Sequence, residues 1–253
     1  MLIKAGEIIR NSWQTYLDNW KKLVPYMVLL FIPNFVLGLA GVASLYLDRY
    51  ATSDAFVLTN NLIVIAVFVA CIIFTIWASM AIAKYLGSVI QKKTTLAYKE
   101  AFTSTSHLIW PVVYTSLLVA LIVIGGTILL IIPGIIFSIW FSFTFYTVLF
   151  EEKRGAAALK ASKELVMGRW WGIFWRLFAP GFFFALVFMI LSYSLTYLLD
   201  VLLGGFTLII VNGVVTSILS AIVSPLTALT TVILYFSAKE NPAPIAPPAE
   251  VKK

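Results

Sequence analysis

The chain has almost none of the charge from which a water-soluble surface is built. Of its 253 residues only 11% are charged and 61% are hydrophobic, whereas a soluble domain carries roughly a quarter of its residues as Asp, Glu, Lys or Arg. A separate soluble catalytic domain is therefore excluded. There is a single cysteine, Cys71, inside an apolar run. One thiol forms neither an intramolecular disulfide nor a thiolate metal cage, and Cys71 reads as a small packing residue. The single histidine, His107, has no second histidine, cysteine or carboxylate pair beside it in the sequence and makes no metal site. A Gly-rich phosphate loop, a nucleophile elbow and a zinc-protease helix are all missing. Glu151 and Glu152 are adjacent, so on a helix they diverge. This inventory implies neither an enzyme nor a cofactor. The start of the chain also lacks the basic, apolar and small-residue regions of a cleaved signal peptide, so the first span is expected to remain as an anchor.

What the sequence does have is long uncharged runs. A bilayer core of about 30 Å takes about 20 helical residues, and unpaired backbone cannot face lipid, so such runs must be helices. The expected spans are 23–47, 62–83, 108–131, 135–150, 177–199 and 207–237. The third and fourth come from one stretch without formal charge between Glu100 and Glu151, divided at Ile132-Pro133-Gly134. The run from Val201 to Ala238 is too long for one straight crossing. It is either one kinked helix or a re-entrant segment followed by a helix, with Gly204-Gly205, Asn212-Gly213 and Ser224-Pro225 as candidate breaks. The fold class is an all-α polytopic transmembrane bundle of about six spans. Residues 1–240 form one membrane domain, and the Pro-rich stretch 241–253 is expected to be a disordered cytoplasmic tail.

Alternating the loops between the two sides puts every Lys and Arg except Arg49 on one face, while the opposite loops carry Asp48, Asp54 and Asp200. The positive-inside rule makes the basic face cytoplasmic, so a multi-pass protein of the cell membrane with both termini in the cytoplasm is expected. The net charge of +7 then reads as topology and attraction to lipid headgroups; nucleic acid is not a partner.

Three segments ahead of the odd-numbered spans resemble one another. Residues 2–20 place Leu2, Ile9, Trp13, Tyr16 and Trp20 at helical spacing among Lys4, Glu7, Gln14 and Asp18. Residues 92–102 and 156–165 have the same amphipathic layout, and each entry into the membrane passes a proline, Pro25, Pro111 or Pro180. These are read as three interfacial cytoplasmic helices in a threefold internal repeat, each followed by two crossings. The alternative is that any helix entering a membrane meets Pro, Trp and Lys at the interface.

The pattern Ile132-Pro133-Gly134, Glu151, Gly155, Ala158-Leu159-Lys160, Ser162, Leu165, Gly168-Arg169 and Trp171 resembles the glycerophosphoryl diester phosphodiesterase membrane-domain family and related six-helix prokaryotic membrane proteins. The resemblance implies a stand-alone membrane unit. The phosphodiesterase barrel of that family's name has no counterpart in these residues, so no hydrolase activity or catalytic residue carries over.

The leading functional expectation is a non-enzymatic membrane scaffold of the cell envelope, contacting anionic lipid or a protein partner. Lys92, Lys93, Lys160, Lys163, Arg169, Trp170 and Trp171 are its candidate contacts. The alternative is a transporter or channel for a small or lipid-like solute, with Asn34 and Asn212 in a polar cavity. Uncharged polar residues at these depths more often serve helix packing.

Overall fold

The computed structural model describes residues 2–49, 53–92, 96–203 and 205–242. Lys93 and the tail from residue 243 lie outside the described residues. Within them the regular structure is helical throughout: α1 (Ala5–Arg49), α2 (Asp54–Ile90), α3 (Tyr98–Ser106), α4 (Ile109–Leu129), α5 (Ile131–Trp140), α6 (Thr144–Glu151), α7 (Gly155–Val166), α8 (Trp170–Leu202) and α9 (Gly205–Glu240). Six segments are long and apolar enough to cross a bilayer: α1, α2, α4, α5 with α6 in series, α8 and α9. The chain is an all-α, polytopic integral membrane protein.

The prolines sit differently from the sequence expectation. Pro25 and Pro33 lie inside α1, so residues 5–22 are not a separate interfacial helix but one continuous helix with the first span. Pro180 likewise lies inside α8, which begins at Trp170. Proline removes one i→i−4 bond, and in a membrane helix neighbouring groups can satisfy the freed carbonyl, so the helix runs on. Only Pro111, third residue of α4, occupies a helix's first turn as expected of all three, where its missing N–H costs nothing. Within the run 201–238, Val201 and Leu202 close α8, Leu203 is extended, and one helix, α9, runs from Gly205 with Asn212-Gly213 and Pro225 inside it. At about 54 Å by the rise per residue it exceeds the hydrocarbon thickness, so it tilts or projects beyond the hydrocarbon.

The turn expected at Pro133-Gly134 falls instead at Leu130, which is extended (φ −161°, ψ 144°) and separates α4 from α5. Pro133 is thus in the first turn of α5. Gly134 has another task, because a Cβ there would lie 3.0 Å from Thr127 Cα and closer still to Thr127 Oγ1. Its missing side chain is what lets α4 and α5 touch.

Successive crossings pack as hairpins, α1 with α2, α4 with α5, and α8 with α9, and α9 also runs antiparallel along α1. Ile3 N–H donates to Ser237 Oγ (3.1 Å) and Tyr16 hydroxyl to the Ile222 carbonyl (3.2 Å). One end of the bundle, here termed the basic end, gathers the start of α1, the end of α2, α3, α7, and the ends of α6 and α9. The close packing is there: Met80, Leu86, Phe143, Leu149, Leu229 and Tyr235 are fully buried. At the other end Leu62, Leu121, Ile128, Leu130, Tyr193 and Tyr197 are exposed, an apolar surface for hydrocarbon to cover.

Two side-chain bonds pin hairpins toward that end. Asn60 Nδ2 donates to Ser44 Oγ (3.1 Å) across α1 and α2, and Thr196 hydroxyl donates to Asn212 Oδ1 (2.8 Å) across α8 and α9. Interhelical bonds of this kind average about 0.6 kcal/mol in membranes. Asn212→Leu is therefore expected to shift stability in detergent by less than about 1 kcal/mol, read as a melting temperature almost unchanged.

Candidate functional site

The amphipathic segment 156–165 folds as α7, and its buried face holds Ala158, Leu159, Ala161, Ser162 and Val166. It fills the break between α5 and α6, where residues 141–143 leave backbone groups without helical partners. Ser162 repairs the break from both sides, accepting from Phe143 N–H (3.1 Å) and donating to the Trp140 carbonyl (2.8 Å). Thr147 hydroxyl donates to the Ala158 carbonyl at 3.2 Å. Gly168, at φ +78°, then turns the chain into α8 in the left-handed region that glycine tolerates best.

The cations of the basic end divide into two sets. The first set is committed to the fold. Arg169, a candidate lipid contact by sequence, donates through Nε to the Leu165 carbonyl of α7 (2.8 Å), through Nη2 to the Ala238 carbonyl of α9 (2.7 Å) and through Nη1 to the Asn241 carbonyl. These are carbonyls that helices leave unpaired at their C-termini, and a cation there also complements the helix dipole. Partial burial lowers the pKa of Arg169 from its usual value. Lys163, another candidate, places Nζ 4.3 Å from the centre of the Trp140 ring. Arg176 donates to the Ile3 carbonyl (2.5 Å) and the Gly172 carbonyl (2.9 Å), holding the start of the chain against α8. Lys84 donates to the Leu149 carbonyl at the end of α6 (3.3 Å).

Glu151, the first formal charge after the long uncharged stretch, organises another part of this set. It takes Lys153 at 2.8 Å, Lys239 at 3.1 Å and the Tyr235 hydroxyl at 2.7 Å. The sequence reading missed this site because it weighed Glu151 only against Glu152. A signal was available in Tyr235 and Lys239, which stand four residues apart and so share a face of α9.

The second set is free. Lys4, Arg10, Lys21, Lys22, Lys92, Lys99, Arg154 and Lys160 are exposed and carry no ion pair among the described residues. Exposed tryptophans accompany them: Trp13 and Trp20 on α1 beside Arg10, Lys21 and Lys22, Trp110 at the start of α4, and Trp171 and Trp175 at the start of α8. Trp170 instead turns inward, its Nε1 donating to the Ile136 carbonyl (3.4 Å) and its ring stacking on Phe174. Of the sequence candidates, Lys92, Lys160 and Trp171 therefore belong to an open surface of cations and indoles, while Lys163, Arg169 and Trp170 are structural.

The cavity candidates are used otherwise. Asn34 is exposed and folds its Nδ2 back onto the Leu30 carbonyl of its own helix at 2.8 Å, and Asn212 is bonded to Thr196. Neither lines the four best-formed clefts between the described helices. Of those clefts, one of about 530 Å³ lies between α1, α8 and α9, and one of about 580 Å³ lies between α5 and the start of α8 beside Trp170 and Trp171. A third, of about 570 Å³, is more polar and lies between the ends of α1, α2 and α9 with Glu7, Asn11 and Lys92 on its walls. No family model, curated protein or solved structure matches the chain.

Proposed function

We propose that the chain is a non-enzymatic module of the cell envelope whose basic end faces the cytoplasm and holds anionic lipid headgroups in the inner leaflet. The observation that carries this reading is the open set of cations interleaved with exposed indoles at one end of a membrane bundle. Cations beside a membrane surface attract anionic lipid by about 1 kcal/mol each, and tryptophan settles at the headgroup level. The bonding of Asn34 to its own helix and of Asn212 to Thr196 weighs against a solute path through the spans. We also propose that the unit is of the kind found in the glycerophosphoryl diester phosphodiesterase membrane-domain family, on the strength of the residue pattern from Pro133 to Trp171, within which Ser162, Gly168 and Arg169 each have a defined structural task.

The test uses vesicles containing the purified protein and spin-labelled phosphatidylglycerol or phosphatidylcholine. Reversing Lys21, Lys22, Lys92, Lys99 and Lys160 to glutamate is expected to abolish the preference for phosphatidylglycerol in the immobilised lipid fraction. An unchanged preference refutes the reading.

A further inference from the structure

We propose that the cleft between α1, α8 and α9 is a site for one anionic phospholipid, with an acyl chain in the slot and its phosphate on Arg10. The inference rests on the lipid-contact reading above and narrows it to a single place. The slot is walled by α1 from Gly6 to Tyr16, by the middle of α8 and by α9. Its floor is apolar and closed, with Phe184 at 2% and Leu226 at 4% exposure. The α8 rim, Val187 among it, is exposed on a segment long and apolar enough to span the bilayer, so hydrocarbon chains are the abundant neighbours of the opening. At about 530 Å³ the slot is in the range of sites for small ligands.

Arg10 is the one formally charged residue lining the slot, and it is exposed without an ion pair among the described residues. Glu7, the carboxylate nearest in sequence, lines a different cleft and accepts from Lys4 N–H at 3.2 Å. An unmatched guanidinium on the wall of an apolar slot fits an amphiphile of opposite charge, because its paired donors match two phosphate oxygens. A zwitterionic lipid fills the slot equally well but brings its own cation to the phosphate. The wall is held in place by Tyr16, whose hydroxyl bonds the Ile222 carbonyl, and the half-exposed Trp13 stacks on it with ring centres 6.3 Å apart. Gly6 lines the slot, and a Cβ there would meet nothing within 4 Å, so a larger side chain at this position is accommodated without displacing protein.

Native mass spectrometry of the full chain in detergent, titrated with phosphatidylglycerol or phosphatidylcholine, tests the site. The protein is expected to retain one phosphatidylglycerol in preference to phosphatidylcholine. Arg10→Gln should cut that preference about fivefold while leaving phosphatidylcholine uptake unchanged, the loss expected for one cation at a headgroup. Gly6→Leu should remove retention of both lipids with no fall in thermal stability. If both variants retain phosphatidylglycerol as the unaltered chain does, the site is refuted, even where the five-lysine reversal removes the broader preference. If that reversal has no effect but the Arg10 and Gly6 variants behave as expected, the broader reading fails and this site stands.

Discussion

Replacing Arg169 with leucine is expected to lower the stability of the detergent-solubilised protein by about 3 kcal/mol, a fall in melting temperature of about 6–12 °C. The side chain donates to carbonyls of Leu165, Ala238 and Asn241, at the ends of α7 and α9. Hydrogen bonds from a charged donor contribute about 1.5–3 kcal/mol each, and the partial exposure of this guanidinium discounts the sum. Leucine fills some of the volume but leaves the carbonyls without a donor. Arg169→Lys should recover no more than about half, since an ammonium on a flexible stem cannot span carbonyls on two helices as a planar fork does. A lipid contact would behave otherwise: removing it would alter lipid preference and leave melting temperature nearly unchanged. The two readouts together separate the roles.

Gly134→Leu is expected to destabilise by about 2–3 kcal/mol or to prevent the α4–α5 hairpin from closing. A side chain at 134 would run into Thr127, with even the backbone Cα only 3.0 Å from the added Cβ. Helices in a membrane gain no hydrophobic term by meeting one another, so close backbone approach through small residues is a main source of their attraction. Pairing the change with Thr127→Gly removes the hydroxyl clash but not the backbone one, so only partial recovery is expected. Faster proteolysis at the Leu130 turn, compared in the same detergent, reports opening of the hairpin. Gly6→Leu serves as the control, because its Cβ has open space.

Much of the architecture was legible in the residues. The third span, expected at 108–131, is α4 at Ile109–Leu129, and the segment 156–165 is α7 at Gly155–Val166. Charge flanks the second, at Arg154 and Arg169, while the uncharged stretch between Glu100 and Glu151 contains the first. Proline was the misleading signal. It was expected to start helices at Pro25 and Pro180, but both lie within them, because proline forbids one backbone bond and one direction of packing, not the continuation of a helix whose neighbours support it.

The candidate site was less legible. Lys160 and Lys163 are three residues apart on one helix and look equivalent in the sequence, yet Lys160 is exposed and Lys163 sits over Trp140. Arg169 and Trp171 both follow Gly168 at the expected interface, yet Arg169 ties α7 to α9 while Trp171 stays in the open. Glu151 was set aside, although it gathers Lys153, Lys239 and Tyr235.

By itself the sequence determined that this chain is an α-helical membrane protein of about six crossings, because hydrocarbon tolerates neither unpaired peptide groups nor stray charge, and both constraints are read directly from uncharged runs. Only the tertiary structure decided which end packs closely, where the chain turns, and which cations remain free for a ligand. Those depend on partners distant along the chain, Arg169 with Ala238 or Glu151 with Tyr235, and no local property of a lysine or arginine records whether a carbonyl or carboxylate from another helix will arrive beside it.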